Sequence, residues 1–417
     1  MTEILESKPI AVVIGASHAG VNFAFALRRE GWKGDILLFD ADPELPYHRP
    51  PLSKTYLTSD DGIDKNLLKS AVSYLKENIA LLLGTQVASI LPQDKTIVLS
   101  DGSTQAYDKL IIATGARPFI PPIPGMETAK NLFPLRTAAD VTKMRNLVQA
   151  DVIKEVVVIG GGYIGLETAA SFKKLGVKVT VLEREERILA RVTAPEMSEF
   201  FESLHLENGV DVLTSKNVNA IHYHDNTNTV VCEDGTRYKA DMIVVGVGVR
   251  VNIELAQQAG ITIENGIRVD SSARTSDESI YAIGDCTYHH NPHYNRYVRL
   301  ESVQNAVDQA KVAAANICGK EVSYDALPWF WSDQYDVKLQ MVGLSTGFSE
   351  VLIRKEIDKD KCFSMWYFDG DKLLAVDAVN HAKAYVLGTK WIKSGQLLDK
   401  AKLIDPSFEI KAAMLES

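Results

Sequence analysis

The chain contains one supersecondary pattern twice, and this repeat constrains the fold more than any other feature. The first copy is the β run "IAVVIG", a tight turn, the helical stretch "NFAFALRREG" and a second β run, "DILLFD", ending at Asp40. The second copy is "EVVVIGGGYIGLETAASFKKLGVKVTVLE", ending at Glu183. A strand, a Gly-rich turn and a helix, followed by a second strand with an acid at its tip, form the mononucleotide half of a doubly wound sheet. The helix N-terminus has unpaired N–H groups and a partial positive charge, so it accepts a pyrophosphate. The first glycine permits the sharp turn, the second lets the backbone approach the phosphates, and the third lets helix and strand pack closely. Gly160, Gly162 and Gly165 fill all three places in the second copy; the first has Gly15 and Gly20 with Ser17 between them. Asp40 and Glu183 each follow the last glycine by about 20 residues, the reach needed for an acid to meet the ribose hydroxyls. Two such units imply two bound dinucleotides.

At 417 residues the chain is too long for one ordinary core, and two or three domains are expected. The net charge of −9 argues against a nucleic-acid binder, which needs a basic face for phosphates. The opening "MTEILESKPI" is acidic and polar and lacks the layout of a signal peptide. No apolar run approaches the roughly 20 residues that span a bilayer. Cys232, Cys286, Cys318 and Cys362 are far apart in sequence, which suits a reduced, cytoplasmic protein rather than a disulfide scaffold.

Between the two copies, an apolar strand from Leu110 to Ala113 ends in Thr114-Gly115. Pro118, Pro121, Pro122 and Pro124 then read as a stiff linker. A second crossing is expected at "DMIVVGVGVRVN", where Gly246 and Gly248 end another apolar strand. Two crossings make residues 118–248 an insertion into a domain formed by 1–117 and 249–326. From 327 to 417 the pattern changes to antiparallel strands, with Asp369-Gly370 as a hairpin turn and "AKAYVLGTKWIKSG" as a final helix over the sheet. The expected class is α/β: two Rossmann-like dinucleotide-binding domains, the second inserted into the first, plus a C-terminal α+β domain with an antiparallel sheet.

The stretches "RPPLSK" (49–54), "ATGARP" (113–118), "GGGYIGLE" (160–167), "YAIGDC" (281–286), "RLESVQNAVDQAK" (299–311) and "WFWSDQYD" (329–336) support a family resemblance. The chain resembles, from end to end, the FAD-dependent ferredoxin reductases of oxygenase systems, which have the glutathione-reductase type of two-dinucleotide fold. The resemblance implies FAD along Gly15, Ser17, His18, Ala19, Gly20 and Asp40, with Arg49, Lys54, Ala113, Thr114, Gly115, Arg136, Gly284, Asp285, Ser302, Val303 and Trp331 also contributing. It implies NADH along Gly160, Gly162, Tyr163, Ile164, Gly165, Glu183, Gly246, Val247 and Gly248, together with Glu301. The sequence departs from the family at Ser17 and at Val251, where proline is usual.

The same resemblance implies roles. Lys54 approaches the flavin N5 edge and pairs with Glu167, so that a cation favours the anionic reduced flavin. A surface position in the first turn after Gly165 is the alternative for Glu167. The helix beginning near Ser302-Val303-Gln304, with Ser302 as N-cap, aims its N-terminus at the flavin N1 and C2=O. Trp331 shields the cofactor and lines the electron exit, with core packing as its alternative. His289, His290 and His293 are read as a polar loop lacking nearby acids or thiols, and no metal is expected. His222 and His224 are read as the solvated face of a strand. The chain has no Cys-x-x-Cys and no cysteine before Cys232, which excludes dithiol reductase chemistry.

The expected function is therefore that of an NADH:ferredoxin oxidoreductase. A hydride passes from NADH to FAD, and single electrons then pass to a [2Fe–2S] ferredoxin serving an oxygenase, a cytochrome P450 first of all. Reduction of a rubredoxin, or of the ferredoxin of an aromatic-ring dioxygenase, uses the same core. A redox-signalling flavoprotein of the apoptosis-inducing-factor type is the alternative from another class. Ferredoxins of this kind are typically acidic, so an acidic reductase needs a local basic patch. Lys311 is the first candidate; Arg296 and Arg299 lie just upstream of its helix, and Lys390 and Lys393 are on the helix near the C-terminus.

Overall fold

A computed structural model of the chain describes residues 8–357 and 359–415. Most of the acidic opening stretch, Met1–Ser7, lies outside the described residues. The chain divides into two compact units, 1–48 with 63–117 and 250–328, and 49–62 with 118–249 and 329–417.

The first unit is built on a five-stranded parallel sheet. Its strands run Ile280–Ala282, Lys109–Ile112, Ile10–Ile14, Asp35–Phe39 and Ile79–Leu82 in spatial order. Both faces are covered, which is why "IAVVI" and "KLII" are continuous apolar runs rather than alternating ones. Val13, Ile111 and Leu38 pack on one face with the helices His18–Arg29 and Val303–Ile317, and Val12, Leu110 and Ile112 pack on the other.

The second unit holds the second glycine turn on a parallel sheet of the same kind: Asp211–Leu213, Lys178–Leu182, Glu155–Ile159, Met242–Val245 and Leu132–Phe133. The repeat seen in the sequence extends to register. Ile14 pairs Phe39 in the first copy, and Ile159 pairs Leu182 in the second, one residue before each terminal acid. Residues 327–417, expected as a separate domain, have their own antiparallel sheet but from 329 onward group in this second unit. The sheet order is Trp329–Gln334, Val337–Gly343, Lys372–Val379, Phe363–Asp369 and Glu350–Lys355. The helix Ala382–Ser394 lies over this sheet. A Cβ on its Gly388 would stand 2.6 Å from Val376 Cγ2, so glycine sets how closely helix and sheet approach.

Four local expectations are corrected. His289 and His290 are not in a polar loop: both lie in the strand Thr287–Asn291, and His289 is buried, with its ring edge-on to Tyr324 and Nδ1 beside Gln309 Nε2 at 3.3 Å. Burial lowers the pKa of His289 to about 4. Glu167 is neither a surface residue nor in a first turn, because the helix starts at Tyr163 and its buried face includes position 167. Asp369 is the last residue of its strand and pairs Lys372, so Gly370-Asp371 makes the turn. The helix Ala382–Ser394 is not the final one, since Asp399 caps a further short helix, Lys400–Ile404.

Candidate functional site

The two glycine turns answer the question that Ser17 raises. Gly15 and Gly160 have φ of +104° and +110°, a region that L side chains rarely adopt, and a Cβ there would meet Ala113 O at 2.3 Å and Gly246 O at 2.4 Å. A Cβ on Gly20 would lie 1.9 Å from Gly15 O, and one on Gly165 would lie 2.1 Å from Gly160 O. The middle place differs. Gly162 has an extended backbone, φ −81°, and a Cβ there would meet nothing within 4 Å. Ser17 has φ −96° and ψ −157°, likewise extended. The serine therefore occupies the one place of the three where a Cβ meets no other part of the protein and the backbone is ordinary.

Each turn also fits a dinucleotide chemically. The helices His18–Arg29 and Tyr163–Lys174 have no side-chain cap and no acid in their first turn. Thr137, Ser302, His381 and Asp399 cap four other helices, while Ala71–Lys76 and Pro195–Glu207 are also uncapped. Uncapped N–H groups at a glycine turn are suited to phosphate oxygens. The acids stand at the turns. Asp40 accepts from Ala16 N and Asp42 N, and Glu183 accepts from Gly161 N at 2.6 Å and Glu185 N at 2.8 Å.

The first unit gathers most of the FAD candidates. Gly284, with φ +82°, packs against Ala19 and Ala306, where the helices His18–Arg29 and Val303–Ile317 begin. Ser302 caps the second of these helices by accepting from Asn305 N at 3.1 Å. Gln309 Oε1 takes Gly284 N at 2.8 Å, which fixes the Gly284-Asp285 loop. Thr114 is tied to Asn252 twice, Oγ1 to the Asn252 carbonyl at 2.7 Å and its own carbonyl from Nδ2 at 2.8 Å. Cys286, beside Asp285, is buried and its thiol is pushed up to about 11 by that burial, so it is inert. Glu301 pairs with Arg299 at 3.1 Å.

The second unit brings Lys54 and Glu167 together. Lys54 Nζ lies 2.7 Å from Glu167 Oε2, with side-chain exposures of 16% and 4%. Ser53 Oγ donates to the same oxygen at 2.6 Å, and Ser332 Oγ donates to Oε1 at 2.7 Å. The segment that carries Lys54 is held by its backbone. Arg145 Nη1 donates to the carbonyls of Tyr56, Ser59 and Asp61, and Ser171 Oγ donates to that of Ser53. Arg49 Nη1 donates to the Arg136 carbonyl at 2.8 Å, joining two residues implied for FAD.

Trp331 is half-buried, with Trp329 and Phe330 rings 5.5 and 6.2 Å away. Phe330 in turn meets Tyr163 at 5.2 Å, and Tyr163 Oη donates to Met341 Sδ. Burial, with Asp377 near it, holds the Tyr163 hydroxyl well above the usual phenol range. Sequence reasoning missed Ser53, Ser332, Arg145, Gln309 and Asn252. Ser53, Ser332 and Gln309 lie inside stretches that carry the family resemblance; Arg145 and Asn252 had no such signal.

A family model described as "Pyridine nucleotide-disulphide oxidoreductase" matches residues 10–310, and one described as "Reductase C-terminal" matches 329–414. The chain is 44% identical to putidaredoxin reductase of Pseudomonas putida over 374 residues, 88% of each chain. It is 40% identical to rhodocoxin reductase of Rhodococcus erythropolis, covering 97% of this chain and 94% of that one. The fold matches the reductase in a covalent putidaredoxin reductase–putidaredoxin complex, with a TM-score of 0.93, 40% identity and 98% and 99% coverage.

Proposed function

The chain belongs to the pyridine nucleotide-disulphide oxidoreductase family and ends in a reductase C-terminal domain, and on that premise we propose that it carries electrons from NADH through FAD to a [2Fe–2S] ferredoxin serving an oxygenase, a cytochrome P450 in the first instance. One NADH and two oxidised ferredoxins give NAD⁺, one proton and two reduced ferredoxins. Bound FAD supplies the conversion of a hydride into single electrons. FAD is assigned to 1–117 with 249–326, NADH to 118–248, and the electron exit to the C-terminal 327–417. The cellular site is the cytoplasm, which suits four unpaired cysteines and a pyridine-nucleotide donor. No described helix is long and apolar enough to cross a membrane.

The observation that carries this reading is the buried Lys54–Glu167 pair in a chain without a redox dithiol. A cation held in place at low solvent exposure favours an anionic reduced cofactor without needing a thiol relay. The test is turnover of NADH with purified acceptors: a P450-type [2Fe–2S] ferredoxin, a dioxygenase ferredoxin and a rubredoxin. The first should give the highest kcat/KM. Faster reduction of rubredoxin would replace the assigned partner, and no reduction of any acceptor would end the reading.

Three expected results follow from single residues. Glu183 should accept from the adenosine ribose and repel a 2′-phosphate. Arg184, the nearby cation, is paired with Glu185 at 2.7 Å. Kcat/KM should favour NADH over NADPH, and Glu183→Ala should narrow the gap. Equal values in the unmutated protein would refute the assignment. Trp331→Ala should leave flavin reduction by NADH largely intact in stopped-flow while slowing ferredoxin reduction. Equal slowing of both steps would mark Trp331 as packing.

Lys311 is exposed and pairs with Asp308 at 2.9 Å along its helix. Such a pair contributes roughly 0.2–1 kcal/mol, so the lysine is free to steer an acidic partner. Lys311→Glu should raise the KM for ferredoxin and flatten its salt dependence. Coupling in the unmutated protein that does not respond to ionic strength would exclude steering.

A further inference from the structure

We infer that Ser332, Gln334 and His205 are positioning residues for Glu167, forming with Tyr335 a chain of hydrogen bonds that all point toward its carboxylate and hold it as the fixed counter-ion of Lys54. The inference rests on the role proposed for the Lys54–Glu167 pair.

The direction follows from which atoms can donate. Ser332 Oγ donates to Glu167 Oε1 at 2.7 Å, so its own oxygen is left to accept. Gln334 Nε2 donates to that oxygen at 3.2 Å. This orients the amide, and Gln334 Oε1 faces His205 Nε2 at 2.8 Å. A carbonyl oxygen only accepts, so His205 carries its proton on Nε2. His205 is fully buried, and desolvation lowers its pKa to about 4, so the ring is neutral and Nδ1 is bare. Tyr335 Oη, 3.0 Å from Nδ1, must then be the donor. The opposite amide orientation would turn the Ser332 hydroxyl toward Gln334 and remove a donor from a carboxylate that is 4% exposed. That loss costs more than a neutral hydrogen bond.

Hydrogen bonds aligned head to tail polarise one another, so the chain acts as more than its last member. The other groups at Glu167 agree with an ionised carboxylate. Lys54 and Ser53 donate to Oε2. Tyr163, on the same helix, is held neutral by burial with Asp377 and Tyr367 near it. Three donors therefore converge on the two oxygens of Glu167.

The test has two arms. In ¹⁵N-histidine NMR of the FAD-loaded protein, the signal absent from His205→Gln should report a neutral ring protonated at Nε2 from about pH 6 to 8. An Nδ1–H tautomer or an imidazolium would overturn the chain, whatever the enzyme does. In the second arm, kcat/KM for NADH is measured against pH. Losing the nearest donor weakens the hold on the carboxylate that positions Lys54. Ser332→Ala should move the acid limb toward neutrality by about one pH unit. Gln334→Leu should move it less, and Ser332→Thr should restore it. An acid limb unmoved in both Ser332→Ala and Gln334→Leu, with only the melting temperature lowered, would overturn the inference. If Glu167→Gln itself reacts with NADH as the unmutated protein does at every pH, the role of the pair fails, while the NMR arm still judges the chain.

Discussion

Glu167→Gln is expected to slow flavin reduction by NADH on the order of 10²-fold, the size of losing one preorganised electrostatic contact. The amide keeps the volume but is a weaker acceptor, so Lys54 is no longer held in place. Glu167→Ala should also destabilise the fold by about 3–5 kcal/mol, because an unpaired cation remains in a site that water scarcely reaches. Lys54→Met should be gentler on stability, since Ser53 and Ser332 still satisfy the carboxylate. Stopped-flow reduction of the flavin band and thermal unfolding of each variant measure the two effects separately. Reduction by NADH at the unmutated rate in both Glu167→Gln and Lys54→Met would remove the pair from the chemistry.

Gly20→Ala should abolish FAD retention. The added carbon would stand 1.9 Å from Gly15 O, a contact with backbone that no side-chain rotation relieves. The helix His18–Arg29 must then move off the strand Ile10–Ile14, and the N–H groups meant for the pyrophosphate move with it. Ser17→Gly, three residues away, should leave FAD content unchanged. Flavin absorbance per protein after gel filtration distinguishes them. A Gly20→Ala protein that keeps its yellow colour would mean that the turn tolerates a shift the packing does not suggest.

The parts of the site that were legible in the sequence are those made by local geometry. A positive-φ glycine and a glycine whose Cβ would strike a backbone oxygen leave their mark at fixed spacing, and an acid at the end of the second strand follows from strand and helix length. Both dinucleotide units could therefore be drawn residue by residue, and Ser17 could be recognised as tolerable once its place was known to be the unconstrained one. The antiparallel strands after 327 were readable for the same reason, through alternation and turn residues. Lys54 and Glu167 were paired only through the family resemblance, since nothing in their spacing brings them together.

The tertiary structure decided what depends on contact between segments distant in sequence. His289 is indistinguishable in sequence from its neighbours His290 and His293. It is buried because its strand places it against Tyr324 and Gln309, contacts that the local polar composition does not encode. The surface alternative for Glu167 fails because its helix is covered on that face by segments distant in sequence. Ser53, the Ser332–Gln334 strand and His205 come from three separate stretches and become one polar network only when those stretches pack. The sequence by itself determined the two glycine turns and their acids, because steric exclusion acts within a few residues of chain. Folding alone determined the charge held beside Lys54, because burial and hydrogen-bond direction are properties of the packed interior.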